Sequence, residues 1–253
     1  MTMNRIQASA SDLQLDLVQG VSTPGAVAEA SVYVSNKGET PLSLFAPLHY
    51  EANYAYPLLI WLHGPGDDES QLKRIMPLIS LRNYVGLAPR GTRREVSAAG
   101  RRGYGWSQDR AEVGLAEARV FEALELAEQR YHVAPRRIFL AGFDCGGTMA
   151  FRLAMSHPRR FAGVLSVCGG FPNVRTPLAR LNEARRIPVF IASGRDSQQY
   201  PAENVCENLK LLYAAGMQVA LRQYPCGHQL TPLMLTDMDR WIMERITSAP
   251  GAG

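Results

Sequence analysis

Arg137-Ile-Phe-Leu-Ala-Gly142-Phe143-Asp144-Cys145-Gly146-Gly147-Thr148 is the stretch whose reading decides the fold. An apolar run of strand length, Arg137 to Gly142, meets a glycine-rich turn. A helical pattern then runs from Thr148 to His157 and stops near Pro158. Glycines two before and two after Asp144 permit a tight turn without Cβ clashes. Such a turn lifts the side chain at 144 onto a helix N-terminus, where the peptide dipoles favour negative charge.

Outward from this turn, apolar runs alternate with helical patterns. Strands are expected at Pro57–His63, Tyr84–Ala88, Gly163–Cys168, Pro188–Ala192 and Gln218–Tyr224. Helices are expected at Glu69–Leu81, Gln108–His132, Ala202–Gly216 and Pro232–Ile246. In the second of these, Val113, Ala116, Val120, Leu124 and Ala127 recur at three- and four-residue steps. Thr231 is placed to cap the last helix, with Pro232 at its first position. Between Ala88 and Gln108 the reading is a long loop holding Gly91, Gly100, Gly103 and Gly105. Alternation of this kind predicts a mostly parallel sheet with helices on both faces. Ligands then bind outside the carboxyl ends of the strands. Residues 1–40 are small, polar and punctuated by Gly and Pro; they read as an N-terminal extension in which Ser31–Ser35 alternates like an edge strand. Residues 41–250 read as one domain.

Three motifs fall on strand ends in chain order: the turn at Asp144, Ser193-Gly194-Arg195-Asp196, and Cys226-Gly227-His228. A histidine in such a place takes or gives a proton near neutral pH. An acid behind it fixes its tautomer. The expected catalytic set is therefore Asp144, His228 and Asp196. Upstream lie Trp61-Leu62-His63-Gly64-Pro65-Gly66-Asp67-Asp68, Ala88-Pro89-Arg90-Gly91 and Gly103-Tyr104-Gly105-Trp106.

Taken in order, these residues resemble the phospholipase/carboxylesterase branch of the α/β-hydrolase fold, which includes acyl-protein thioesterases. Gly142–Gly147 resembles its nucleophile elbow, His63–Asp67 its oxyanion loop, Pro89–Gly91 and Tyr104–Trp106 its flanking segments, and Asp196 with Gly227-His228 its acid and histidine. The resemblance covers residue 55 or so to the end. It implies an α/β-hydrolase fold, a hydrolase activity, no cofactor, and a small-molecule ester or alkyl substrate. It further implies that Gly64, Pro65 and Cys145 form the oxyanion loop and that His63 and Trp106 line or support the substrate pocket.

The chain departs from this pattern at two places. The elbow residue is Asp144 instead of serine. The residue after His63-Gly64, whose N–H is an oxyanion donor in the family, is Pro65, which has no N–H. Losing one such donor costs about 2.7–4 kcal/mol of transition-state stabilisation. A carboxylate attacking an alkyl carbon gives an ester that water can hydrolyse, as in haloalkane dehalogenases and epoxide hydrolases of the same fold. Those proteins have a tryptophan directly after the nucleophile and a helical cap, neither of which is present here. Cys145 at a helix N-terminus is a third candidate nucleophile, one residue out of register with the glycines. A silent pseudo-hydrolase that binds a ligand or partner is the reading from a different class. If Asp196 and Asp144 both flank His228, the ring is held protonated and is a poor base.

Composition constrains the rest. The 253 residues are 46% hydrophobic and 20% charged, with a net charge of +4. The basic excess is scattered in arginine pairs, unlike the stripe of a nucleic-acid binder. The four cysteines form no CxxC pair, so no metal site is expected. No apolar run reaches a membrane span and no leader pattern is visible, so the expectation is a cytoplasmic monomer or homodimer without stable membrane insertion.

Overall fold

The computed structural model describes residues 41–97, 99–172 and 180–248, together with the backbone of Val32–Val34. Among them, strands and helices follow in the order β1 (Val32–Val34), β2 (Leu42–Phe45), β3 (Tyr56–Leu62), α1 (Gln71–Ile79), β4 (Val85–Pro89), β5 (Arg93–Val96), β6 (Arg102–Gly105), α2 (Arg110–Arg130), β7 (Val133–Phe143), α3 (Cys145–Ser156), β8 (Gly163–Val167), α4 (Leu181–Ala184), β9 (Val189–Gly194), α5 (Ala202–Ala214), β10 (Val219–Tyr224) and α6 (Pro232–Ser248). Eight strands form one sheet in the order β1-β2-β4-β3-β7-β8-β9-β10. β1 and β2 are antiparallel to their neighbours, and every pairing from β4 to β10 is parallel.

The central strands are buried along their whole length, seven residues running in β3 and five in β8. Continuous burial means both faces are covered, as a parallel sheet requires. On one face Leu58, Ile60, Leu140 and Val164 pack against α2, α3 and α5 through Val120, Leu124, Leu153 and Leu212. On the other, Leu59, Trp61, Phe139 and Phe190 meet α1 and α6 through Leu72, Met76, Met238 and Trp241. The result is the mostly parallel, doubly covered sheet expected from the alternation, in the α/β-hydrolase arrangement that the resemblance implies.

The predicted elements hold, with shifts at their ends. α1 begins two residues after the expected Glu69, because Asp68 ties the turn before it: its Oδ1 accepts from the Ser70 N–H at 2.9 Å and the Ser70 hydroxyl at 2.5 Å. Thr231 Oγ1 accepts from the Met234 N–H at 3.3 Å at the start of α6. β1 falls within the expected edge strand; the other residues of 1–40 lie outside the described residues. The long loop after β4 is a correction: it holds an antiparallel hairpin, β5 against β6, with Arg93 opposite Gly105 and Glu95 opposite Gly103. Its polar, glycine-rich strands carry no apolar alternation, so the period-2 signal is missing.

Candidate active site

The carboxyl ends of β3, β7, β9 and β10 converge. β7 ends at Phe143, and Asp144 forms the corner before α3 with φ 52° and ψ −119°. A non-glycine residue in that region costs on the order of 1–3 kcal/mol and persists only where its surroundings enforce it. The surroundings are visible: the Asp144 N–H donates to Val167 O at 2.9 Å and its C=O accepts from Thr148 N–H at 3.0 Å. A Cβ on Gly142 would collide with the Gly146 backbone, and one on Gly146 with the Leu62 carbonyl oxygen. Asp144 thus occupies the N-cap position of α3 without a side-chain capping hydrogen bond, its carboxylate turned to His228 near the positive end of the helix dipole.

His228 Nε2 lies 2.8 Å from Asp144 Oδ2. The pair is shielded unequally: the histidine side chain is 7% exposed and the aspartate 30%. The carboxylate therefore faces the outside while the imidazole stands behind it, its ring tilted against Phe143 at 5.6 Å. With Asp144 ionised, Nε2 carries the proton and donates it. The other nitrogen, Nδ1, is 2.8 Å from Ser197 Oγ, and that hydroxyl also accepts from the Tyr200 N–H at 3.0 Å. A hydroxyl with one donor and two lone pairs satisfies either tautomer of the ring.

Asp196, expected behind the histidine, is displaced from that role. Its N–H donates to Cys226 O at 3.0 Å and the Arg195 N–H to Tyr224 O at 2.8 Å, which ties the turn after β9 to the end of β10. In this turn Arg195 and Asp196 are exposed, and Ser197 is the residue that is buried against the ring. The two flanking carboxylates expected around His228 are therefore reduced to one. No sequence signal separates two adjacent turn residues; a single step of register decides which one faces the ring.

The remaining candidates divide between scaffold and rim. His63 is buried; its Nδ1–H donates to Gly64 O at 2.9 Å and its Nε2 accepts from the Gly91 N–H at 2.8 Å. Burial holds its pKa below the usual histidine value, so it stays a neutral pin between the loops after β3 and β4. Trp106 is also buried, and its Nε1–H donates to His63 O at 3.1 Å. Both residues brace the loop beneath the site. Gly64 packs under the Phe143 ring, which a Cβ there would strike. Pro65 supplies no N–H, and the N–H of Gly66 is spent on Tyr104 O at 2.9 Å. Cys145 heads α3, where the first backbone N–H groups lack intrahelical partners. Burial pushes its thiol up to about 12, so it is not a thiolate near neutral pH.

Sequence reading missed Ser197 and also Glu95. The Glu95 carboxyl lies across Gly105, in the space a Cβ would fill there. It is partly buried, and burial followed by the charge of Asp144 raises its pKa above the usual carboxylate value. Among the described residues no group of three or more His, Cys, Asp or Glu is placed to hold a metal ion. No helix among them is long and apolar enough to cross a membrane.

A family described as Phospholipase/Carboxylesterase matches residues 49–246. NocK of Nocardia uniformis subsp. tsuyamanensis, described as a candidate esterase, is 33% identical over 148 residues, 54% of this chain and 39% of that protein. The chain thus aligns with about two fifths of that relative's length. Among solved structures, Arabidopsis thaliana SOBER1 has a TM-score of 0.65 at 21% identity, covering 76% of this chain and 100% of its own. A Bacillus cereus carboxylesterase has a TM-score of 0.63 at 19% identity, covering 83% and 96%. Zea mays acyl-protein thioesterase 2 has a TM-score of 0.61 at 17% identity, covering 86% and 100%. At these identities the structural likeness speaks for the fold.

Proposed function

The chain belongs to the phospholipase/carboxylesterase family, and from that premise we propose that it is a hydrolase in which Asp144, in place of serine, attacks a saturated carbon of a small substrate. The observation that carries this reading is the pairing of an outward-facing Asp144 carboxylate on a strained elbow with a shielded His228 at 2.8 Å. Attack at an alkyl carbon forms a carboxylate ester on Asp144; attack at an ester carbonyl would form an anhydride, a poor intermediate. Esterification removes the charge of Asp144. Because Ser197 and not a second carboxylate faces Nδ1, no charged group then remains against the ring. Nδ1–H donates to Ser197 Oγ, Nε2 is left with a lone pair, and His228 activates the water that cleaves the ester. The Cys145 N–H is the donor closest in chain to the ester carbonyl.

The test is incubation with 1-bromohexane, 1,2-epoxyhexane and p-nitrophenyl acetate, followed by mass analysis of the Asp144 peptide. The His228→Ala variant should accumulate one alkyl adduct per chain on Asp144. Absence of any adduct from both alkylating reagents removes the reading.

One further reading has its own support. Pro65, Asp144 and Ser197 each remove a part of ester hydrolysis, which fits a pseudo-hydrolase that retains a ligand without turning it over. Specific small-molecule retention with no adduct and no turnover favours it.

A further inference from the structure

The hairpin β5–β6 stands outside the main sheet and is sewn onto the loop after β3. Tyr104 N–H donates to Asp67 O at 2.7 Å and Gly66 N–H returns to Tyr104 O at 2.9 Å. Asp67 is itself fixed by Gln71 Nε2 at 2.9 Å and by Arg74 at 2.6 Å, and Gln71 accepts from Trp61 Nε1 at 2.6 Å. The chain from a central strand to the hairpin is thus continuous and rigid. Two residues past Tyr104, Trp106 is locked to His63 O. Glu95 sits on this platform with its carboxyl lying over the bare backbone of Gly105, and it shares an electrostatic environment with both Asp144 and Cys145. Arg93, the positive neighbour on the same face of the hairpin, is exposed and pairs at 3.9 Å with Asp109. Among the described residues Glu95 has no hydrogen bond or ion pair. Trp106, the residue after Gly105, makes a backbone hydrogen bond with the Cys145 thiol next to the elbow, so a carboxyl lying on Gly105 is carried to this end of α3 and is left without a partner there.

We propose that Glu95 is the general acid for Asp144, and that the substrate class is an epoxide. This rests on the alkyl-transfer reading above. An oxygen leaving group departing from a saturated carbon develops negative charge, and with Pro65 in the loop there is no amide from that side to meet it. A carboxylic acid meets it with a proton instead. Burial and the charge of Asp144 both favour the protonated form of Glu95, and together they outweigh the opposing charge of Arg93. Asp144 Oδ forms a bond to one ring carbon, the C–O bond of that carbon breaks, and its electron pair takes the Glu95 proton as a hydroxyl. Water deprotonated by His228 then adds to the ester carbonyl. The second alkoxide leaves with the proton from His228, and the proton released by the regenerated Asp144 acid returns through solvent to Glu95. The sum is epoxide plus water giving a diol. Two carboxyl groups, one nucleophilic and one acidic, divide the labour as they do in other C–O bond cleavages.

Alkyl bromide and epoxide separate the two claims. Bromide departs without a proton, whereas the epoxide oxygen needs one. In a His228→Ala background, 1-bromohexane and 1,2-epoxyhexane should both load Asp144. Adding Glu95→Gln should lower the ratio of epoxide to bromide loading rates about 100-fold, in line with general acid catalysis. Epoxide loading with Glu95 present should fall as pH rises through the pKa of Glu95, and the Gln variant should lose that dependence. Thermal melting and circular dichroism of the Gln variant verify folding, and Glu95→Asp serves as the carboxylate-retaining second variant, expected to recover part of the ratio. Bromide loading with an unchanged ratio in Glu95→Gln overturns the role of Glu95 while leaving the Asp144 nucleophile standing. No loading by either reagent with Glu95 intact overturns both.

Discussion

Ser197 Oγ and Asp144 Oδ2 stand on opposite nitrogens of one imidazole, each 2.8 Å from the His228 ring. In a serine hydrolase the hydroxyl faces Nε2 and the carboxylate faces Nδ1. Here the two side chains have changed places around the ring. The proton that an acid normally fixes on Nδ1 is drawn to Nε2, toward the elbow, and the hydroxyl that would attack substrate is buried under Tyr200.

Exchanging the two should rebuild the usual order. Asp144→Ser alone should hydrolyse p-nitrophenyl acetate poorly, because the serine gains a base whose tautomer is set by another hydroxyl. Asp144→Ser with Ser197→Asp should raise kcat by on the order of 10³-fold over the single variant. Adding Pro65→Gly should contribute a further gain of on the order of 10²-fold by restoring an amide in the loop. Steady-state kinetics of the three variants check this; a double variant no faster than the single one shows that the ring and position 197 do not couple.

Two glycine substitutions should move stability in opposite directions. A Cβ on Gly146 meets the carbonyl oxygens of Leu62 and His63, fixed backbone atoms of the central strand end. Gly146→Ala should therefore cost about 3 kcal/mol by overpacking. Gly114 lies within α2, and a Cβ added there would meet nothing within 4 Å. Gly114→Ala should stabilise by up to about 1 kcal/mol through helix propensity. Urea denaturation of both reads the difference, and equal effects would show that the crowding at the elbow is relieved by movement.

His63 should make stability depend on pH in a defined direction. Its folded pKa is lowered by burial, so above the unfolded value of 6.5 it is neutral in both states and its full contribution is present. Below 6.5 the unfolded chain takes up a proton that the native pin refuses, and stability is lost as pH falls toward the folded pKa. His63→Asn keeps a donor and an acceptor without titrating. The gap in Tm between the natural protein and His63→Asn should narrow as the solution is taken from about neutral to about one unit below the unfolded histidine pKa; parallel Tm curves would mean that His63 does not titrate differently in the two states.

What was legible in the sequence follows from what each feature needs. Strands such as Tyr56–Leu62 announce themselves as unbroken apolar runs, because both faces of a parallel sheet are covered, and helices such as Arg110–Arg130 by the three- and four-residue step that one buried stripe imposes. The elbow was legible because only glycine tolerates the approaches at Gly142 and Gly146. Ser197 was not, because adjacent turn residues differ only in register, and Asp196 offered the chemically expected side chain. Glu95 was not, because its position depends on a hairpin whose partners, Gly103 and Gly105, are selected for absence of bulk and leave no apolar trace.

That hairpin has a practical consequence. It is joined to the loop after β3 by backbone links between Asp67 and Tyr104, while the eight strands of the main sheet pair without it. Residues 93–105 can thus be transplanted as a cassette. Exchanging this flap would change the residues carried on Gly105 and leave the strands of the main sheet untouched.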